Sequence, residues 1–221
     1  MGKETDRIDS RVACLDTRNL LATLVATNGY HCDVWRSTGV LVRDGRRELL
    51  DVVIKVHRGP CSAAEARVYR RQYWRLKQRL EEIVPTALFV VTRVDEAESL
   101  VVIAEAVSTW FNIANPSNEE EAIPFLRILP RARDQLARFL KAAEEWQQDG
   151  DRVIDLYGLD NLVLDVNREI RYIDSFEVFF NQDLPSLIDV PEDDGLRDKI
   201  ELSLRRREYL EYVLREAGGT P

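Results

Sequence analysis

The sequence is poor in the residues that build structural metal sites and disulfide frameworks. Its 221 residues include only two histidines and three cysteines. The cysteines, Cys14, Cys32 and Cys61, lie far apart, and no C-x-x-C pair occurs. We therefore expect no structural zinc site. We expect reduced thiols and a cytoplasmic protein, because disulfides are rare in reducing compartments.

Long apolar runs and an excess of positive charge are also missing. No stretch approaches the roughly 18 residues of a membrane-spanning helix, and the charged N-terminus MGKETDRIDSR has no apolar signal-peptide core. Lysine and arginine number 31 against 39 aspartates and glutamates, so the formal net charge is −8. We expect no nucleic-acid partner and no membrane partner. A small anionic ligand needs only local positive charge.

The first half of the sequence consists mainly of strand-like segments. The apolar residues of 10–27 have mixed spacing, which we interpret as a helix. The run VLVRDGRRELLDVVIKV predicts a hairpin around Asp44-Gly45. Ser62 and Glu65 form a capping box, S-x-x-E, that predicts a helix start. TALFVVTRV and SLVVIAEAV predict two further strands.

The second half reads as helices around one hairpin. The acidic stretch 115–124 is interpreted as a solvated loop. Residues 131–148 place Leu136, Phe139, Leu140 and Ala143 on one stripe, which predicts a helix. A hairpin over 155–176 and a last helix over about 195–217 follow. This order predicts an α+β chain in two lobes.

A lysine interrupts the most apolar of the predicted strands. Lys55 stands in VVIKV. Lysine is rarely fully buried without a partner, so one interpretation places Lys55 on an edge or solvent-facing side of the sheet. The other points it into a cleft, paired with Glu65. Glu65 also has two interpretations, because glutamate at the third helical position of a capping box reaches back to the cap.

The stretch DLYGLDNLVLDVNREIRYIDSF, residues 155–176, holds two short apolar runs around a polar turn. A hairpin would bring Asn161, which opens the first run, and Asp174, which ends the second, to the same end of the ladder. Both offer oxygen ligands suited to Mg²⁺. Asp155, just upstream, could accept a proton from an attacking hydroxyl. The alternative is an ordinary hairpin with Asp and Asn at its turns.

The motifs VVIKV, EARVY, DLYGLDNLVLD and YIDSF occur in an order that resembles the protein kinase-like superfamily, over roughly residues 30–180. That superfamily includes protein kinases, aminoglycoside and choline-type phosphotransferases and minimal bacterial kinases. The resemblance implies a two-lobed kinase-like fold in a single domain. A small antiparallel β-rich N-lobe would span about 1–107, and a reduced, mainly helical C-lobe about 108–221. ATP would bind in the cleft.

The resemblance also implies which residues bind the nucleotide. Lys55 would hold the α- and β-phosphates and pair with Glu65. The backbone of EAV, Glu105 to Val107, would contact adenine. Arg36 would add positive charge to the site.

The remaining roles concern metal and catalysis. By the same resemblance, Asp174 would bind a Mg²⁺ that bridges the phosphates, and Asn161 would bind a second Mg²⁺. Asp155 would be the catalytic base or would orient the acceptor hydroxyl.

The chain departs from the family pattern in several places. The step from Asp155 to Asn161 is six residues rather than five, no His-Arg precedes Asp155, and Asp160 is a rival candidate. DSF replaces D-F-G, and the phosphate-covering loop is represented only by RSTG, residues 36–39, with one glycine. The short sequence after Asp174 argues against the usual peptide-docking platform.

The sequence therefore predicts an ATP-dependent phosphotransferase that moves the γ-phosphate to a hydroxyl of a small molecule or protein. The irregular loop also suits a pseudokinase, a nucleotide-binding or protein-binding regulatory module. A third interpretation is an unrelated α+β interaction domain. Trp110, Phe111 and Trp146 could line a substrate pocket, although such aromatics more often belong to the core.

Overall fold

The computed structural model describes residues 7–8, 10–26, 32–43, 45–150, 152–181 and 194–220. The chain divides into two compact units, the first made of Met1–Arg71 with Pro85–Ala106 and the second of Gln72–Val84 with Val107–Pro221. The described residues form an α+β structure with a five-stranded antiparallel sheet and four α-helices. None of these helices is long and apolar enough to cross a membrane.

The first unit is built on the five-stranded sheet, whose order is β1-β2-β3-β5-β4. Its strands are β1 (Thr23–Ala26), β2 (Cys32–Arg43), β3 (Arg46–His57), β4 (Ala87–Val94) and β5 (Ala97–Glu105). The predicted β2–β3 hairpin is confirmed, because the two strands pair along their full length up to Arg43 and Arg46. Gly45 has a φ of 75°, which glycine adopts readily. Asp44, the other predicted turn residue, lies outside the described residues.

The predicted helix over 10–27 is wrong. Residues 10–22 are not helical, residues 23–26 form β1, and residue 27 lies outside the described residues. The Ala13 N–H donates to the Arg93 carbonyl at 2.9 Å, and Val12 forms an isolated bridge with Val94. Ile8 and Val12 are buried in the core of this unit. Pairing with the β4–β5 hairpin and burial against the sheet therefore override the weak local helix signal.

Helix α1 (Ala63–Leu80) follows β3, and its start confirms the capping box. The Ser62 N–H donates to Glu65 Oε2 at 2.8 Å, and the Glu65 N–H donates to Ser62 Oγ at 3.3 Å. The Ala63 N–H donates to Glu98 Oε1 at 2.7 Å. Carboxylates thus accept from the exposed N–H groups at the positive end of the helix. Residues 72–80 of α1 belong to the second unit.

The second unit combines three helices with two small sheets. The sheets have the orders β6-β8-β9 and β10-β7. Their strands are β6 (Thr109–Phe111), β7 (Arg152–Ile154), β8 (Leu162–Asp165), β9 (Ile170–Tyr172) and β10 (Phe179–Asn181). The helices are α2 (Glu119–Ile128), α3 (Pro130–Gly150) and α4 (Asp194–Glu216). The predicted hairpin over 155–176 is confirmed as β8–β9, with Leu162 opposite Tyr172.

Two predictions about the helices of this unit had different outcomes. The stripe of α3 is buried as expected, at Leu136, Phe139, Leu140 and Ala143. The loop predicted over 115–124 is wrong from residue 119 onwards, where α2 begins. The acidic run stands in the first turn of α2, where carboxylates interact favourably with the helix dipole. Ala122 and Leu126 bury the other side of that helix.

Candidate functional site

Lys55 lies on β3, opposite Val34 on β2 and Val102 on β5. Its exposed fraction is 8%, so the solvent-facing interpretation is wrong. Ile54 and Val56 belong to the core cluster on one face of the sheet, and side chains alternate along a strand. Lys55 therefore points to the opposite face of the sheet, where its side chain is buried.

Glu65 occupies the capping position that was one of its two interpretations. Its Oε2 accepts from both the N–H and the hydroxyl of Ser62, at 2.8 and 2.7 Å. These hydrogen bonds hold the pKa of the Glu65 carboxyl below its usual range. The pairing of Glu65 with Lys55 stays a prediction.

The stretch predicted to contact adenine lies at the end of β5, where the first unit ends at Ala106 and the second resumes at Val107. The Glu105 N–H donates to the Thr86 carbonyl at 2.9 Å, and the Ala106 N–H donates to the Asp51 carbonyl at 3.1 Å. Two of the three N–H groups are therefore already used within the first unit. Donation to an adenine ring from this stretch would fall to Val107.

One other expectation about the first unit is wrong, and the role of Arg36 in a ligand site stays a prediction. The stretch RSTG, Arg36 to Gly39, is not a phosphate-covering loop, because all four residues lie inside β2. The connection from β1 to β2 falls on residues 27–31, outside the described residues. Arg36 makes a two-pronged ion pair with Asp51, at 2.9 and 2.6 Å. Its guanidinium therefore serves this cross-strand pair.

In the second unit, Asp155 directly follows β7. Its N–H donates to the Val178 carbonyl at 2.9 Å, and its Oδ1 accepts from the Tyr157 N–H at 2.6 Å. Within the described residues, no hydrogen bond reaches its other oxygen, Oδ2. Burial, reinforced by the charge of Asp174, raises the pKa of the Asp155 carboxyl to about 7. A carboxyl of this kind can exchange a proton near neutral pH.

Asp174 and Asn161 come together with Asp155 as the hairpin prediction required. Asp174 Oδ1 accepts from the N–H groups of Ser175 and Phe176, at 2.6 and 3.3 Å. Asn161 Nδ2 lies 3.5 Å from Asp174 Oδ2 and donates to the Asp155 carbonyl at 3.2 Å. The structure thus brings Asp155, Asn161 and Asp174 into one cluster of the second unit, whereas Lys55, the other residue predicted for catalysis, belongs to the first unit.

The donor chemistry of this cluster fits a hard cation. Backbone amides hold one oxygen of Asp174, which leaves Oδ2 toward Asn161. An asparagine amide carries an oxygen and a nitrogen at the same reach, so turning the Asn161 amide would present its oxygen to a cation on Asp174 Oδ2. Within the described parts of the chain, no cluster of three or more histidine, cysteine, aspartate or glutamate side chains could hold a metal. A cation here would take its remaining ligands from water and phosphate oxygens.

Sequence reasoning missed the residues that shape the loop between Asp155 and Asn161. A Cβ added at Gly158 would lie 2.5 Å from Asn161 Oδ1, so the amide can occupy its position only because residue 158 is glycine. The Tyr172 hydroxyl donates to the Asp155 carbonyl at 3.0 Å. In the sequence, only the presence of Gly158 in the loop hinted at this close packing, and nothing indicated the Tyr172 hydrogen bond.

Helix α4 also contacts this loop. The Leu156 N–H donates to Ser203 Oγ at 3.1 Å, and Arg206 donates to the carbonyls of Leu156 and Tyr157. These partners lie 47 to 50 residues apart in sequence, and no local sequence pattern predicts the contacts. The rival candidate Asp160 points elsewhere, because its Oδ1 accepts from Asn112 Nδ2 at 2.9 Å.

The three aromatic residues considered for a substrate pocket take part in packing. The Trp110 ring lies 4.8 Å from Phe125, and the Phe111 ring 5.0 Å from the same residue. Trp146 packs edge-on against Phe179 at 4.9 Å. These distances are typical of aromatic pairs in cores.

Comparison with known proteins adds no relatives. No protein-family model matches the chain, and no curated protein matches its sequence.

Proposed function

We propose that this protein is an ATP-dependent phosphotransferase of protein kinase-like fold, which moves the γ-phosphate of ATP to a hydroxyl of a small molecule or protein. The observation that carries the proposal is the clustering of Asp155, Asn161 and Asp174 in the second unit. The Asn161 amide lies within hydrogen-bonding reach of both the Asp155 backbone carbonyl and Asp174 Oδ2, and the charge of Asp174 contributes to the raised pKa of the Asp155 carboxyl.

The order of elements supports the same proposal. Protein kinases carry the phosphate-binding lysine on the third strand, followed by a helix with a glutamate. Here Lys55 lies on β3 and is buried, and α1 follows with Glu65 in its first turn. The catalytic-loop aspartate and asparagine and the metal-binding aspartate then follow in kinase order.

The residues of the cluster have distinct tasks in this proposal. Asp155 orients the acceptor hydroxyl and accepts its proton, for which a pKa of about 7 is suitable. Asp174 and Asn161 would hold Mg²⁺, which when bound neutralises phosphate charge. Lys55 would bind phosphate oxygens, and within the stretch Glu105 to Val107 the Val107 N–H would donate to adenine, because those of Glu105 and Ala106 bind within the first unit.

A pseudokinase is the second candidate, and the position of Glu65 favours it. Its carboxylate is bound to Ser62 at the helix start, whereas an active kinase requires the glutamate to pair with the strand lysine. The extra residue between Asp155 and Asn161 points the same way. Such a protein would bind nucleotide or a protein partner without turnover.

We also propose a cytoplasmic location and a partner set limited to nucleotide and a hydroxyl-bearing substrate. The three cysteines, all within the described residues, form no disulfide, as expected in a reducing compartment.

A thermal melt is the first test of the proposal. The wild type and Asp174→Ala are heated with ATP, with Mg²⁺ and with both, since a ligand that binds only the native state raises the melting temperature. We expect a rise with Mg²⁺ and ATP together that Asp174→Ala loses. No shift in the wild type at millimolar ATP would contradict a nucleotide site.

Turnover then separates the kinase from the pseudokinase. Hydrolysis of Mg²⁺-ATP, or transfer to a screened panel of hydroxyl compounds, is measured for the wild type and for Lys55→Ala and Asp155→Ala. We expect both variants to lose turnover, and Asp155→Ala to keep nucleotide binding. Binding without turnover in the wild type would favour the pseudokinase.

A further inference from the structure

The last helix of the second unit holds the loop that carries Asp155. Arg206 on α4 donates through one nitrogen to the carbonyls of Leu156 and Tyr157. One turn earlier, Ser203 Oγ accepts from the Leu156 N–H at 3.1 Å. The residue after Asp155 is thus bound to α4 by both its N–H and its carbonyl.

Arg206 is buried, and arginine is rarely buried without a specific partner. Its exposed fraction is 9%, and that of Ser203 is 1%. A buried guanidinium loses its hydration, which lowers the pKa of Arg206, and the charge of Asp155 offsets that loss only in part. Arginine presents several donors in a fixed plane, which suits two successive carbonyls of one loop.

The contacts from α4 are part of a small set that holds this loop. Leu156 is buried, whereas the side chains of Tyr157 and Leu159 are exposed and contribute less packing. Asp155 itself is held by its N–H bond to Val178 and by the Asn161 and Tyr172 groups that donate to its carbonyl. The anchorage of Leu156 and Tyr157 to α4 positions the Tyr157 N–H, which donates to Asp155 Oδ1 at 2.6 Å, so we expect it to fix the direction of the carboxylate.

We propose that Arg206 is a positioning residue for the phosphotransfer site, and that α4 holds Asp155 in its working orientation through the Arg206–Leu156–Tyr157 contact and the Ser203–Leu156 bond. This inference rests on the proposed function for its effect on turnover. The effect of Arg206 on the order of the loop does not depend on ATP chemistry. Arg206 therefore affects the rate of transfer more than the affinity for nucleotide.

The test compares Arg206→Met, Arg206→Lys and Ser203→Ala with the wild type in the full-length chain. Arg205→Met is the matched control, because Arg205 is the neighbouring arginine on α4 and forms an exposed ion pair with Glu201. Amide hydrogen exchange is followed in the peptide that covers 155–161. Dissociation constants for Mg²⁺-ATP and hydrolysis rates are measured on the same samples.

We expect Arg206→Met to exchange faster in 155–161 by about tenfold or more, since hydrogen bonds to a charged group are lost. Turnover should fall by about 10- to 100-fold, in line with the cost of a misplaced catalytic group. Nucleotide affinity should stay within about threefold, because Arg206 touches only the loop backbone. Arg206→Lys should recover part of the loss, and Arg205→Met should match the wild type.

Unchanged exchange in 155–161 for a folded Arg206→Met variant would overturn the proposal. So would a uniform rise in exchange across the chain, with affinity and turnover falling together, because that result describes a merely structural residue. If Arg206→Met does not fold, Arg206→Lys and Ser203→Ala decide by the same exchange measurement. A wild type without turnover refutes the proposed function, while the exchange data still test the role of Arg206 in ordering the loop.

Discussion

Gly158→Ala is the substitution that most directly tests the geometry of the proposed site. The added Cβ would lie 2.5 Å from Asn161 Oδ1, 2.9 Å from Cγ and 3.1 Å from Nδ2. Ordinary contact begins at 3.4 Å, so the amide must move by about 0.9 Å. The backbone of residue 158, with φ −70° and ψ 124°, suits alanine without strain. The effect is therefore confined to the side chain of Asn161.

The cost in stability follows from the contacts that the amide makes. A displaced Asn161 loses its hydrogen bond to the Asp155 carbonyl at 3.2 Å, worth about 1 kcal/mol. Replacing glycine restricts the unfolded chain and returns about 0.4–1 kcal/mol. The free energy of unfolding should therefore change by less than about 1 kcal/mol. The Tyr172 hydroxyl also donates to the Asp155 carbonyl, so this carbonyl keeps a hydrogen-bond partner when Asn161 moves.

The effect on Mg²⁺-ATP should be much larger than the effect on stability. Asn161 lies beside Asp174 Oδ2, and loss of a group that orients or supplements a metal ligand typically costs about 10- to 100-fold in affinity. Urea unfolding measures the stability, and titration calorimetry measures the affinity for Mg²⁺-ATP. Gly39→Ala is the control, because a Cβ at Gly39 would meet nothing within 4 Å.

A double-mutant cycle decides whether the effect passes through Asn161. In an Asn161→Ala background the methyl group added at residue 158 has no amide to clash with, so Gly158→Ala should reduce the affinity for Mg²⁺-ATP no further. Equal losses in the two backgrounds would refute the argument, as would a destabilisation of several kcal/mol by Gly158→Ala alone.

Two further predictions concern charged groups of the first unit. Glu65→Gln should leave the free energy of unfolding close to that of the wild type, because glutamine also serves in a capping box, whereas Glu65→Ala should lower it. A loss of Mg²⁺-ATP affinity in Glu65→Gln would reveal the pairing with Lys55, and unchanged affinity would contradict it. Arg36 lowers the pKa of Asp51 from its usual 3.8, so the pair stabilises the fold above that pH and loses its effect as the pH falls. Asp51→Asn should therefore lower the free energy of unfolding by no more than about 1 kcal/mol at pH 7, since the pair is partly exposed. In urea unfolding, the difference in this free energy between the variant and the wild type should shrink below pH 4. A constant difference down to pH 2 would contradict this reasoning.

The elements that the sequence predicted well are those with local signals. The capping box at Ser62, the hairpin at Gly45 and the apolar stripe of α3 each depend on residues within a few positions of one another. The helix predicted over 10–27 failed because Arg11 and Ala13 hydrogen-bond to the β4–β5 hairpin, 80 to 84 residues away. The loop predicted for the acidic run at the start of α2 failed because a charged first helical turn and a solvated loop have similar compositions.

The candidate site divides in the same way. Asn161 and Asp174 could be placed together because hairpin pairing is a local rule. Arg206 could not be found, because its carbonyl partners have no sequence signature and lie 49 and 50 residues earlier. Gly158 was visible only as a loop glycine, since its close approach to Asn161 is a matter of atomic position.

The electrostatics of the cluster indicate which ligand should bind first. Asp174 and Glu177 both disfavour the charged form of Asp155, whereas Lys199 and Arg206 carry positive charge that favours it. A triphosphate without a metal would add further negative charge to these carboxylates, and like charges at such separations repel. A divalent cation removes this repulsion by neutralising Asp174 and the phosphates together. Mg²⁺ and ATP should therefore stabilise the protein by more than the sum of their separate effects, and ATP alone should do so least.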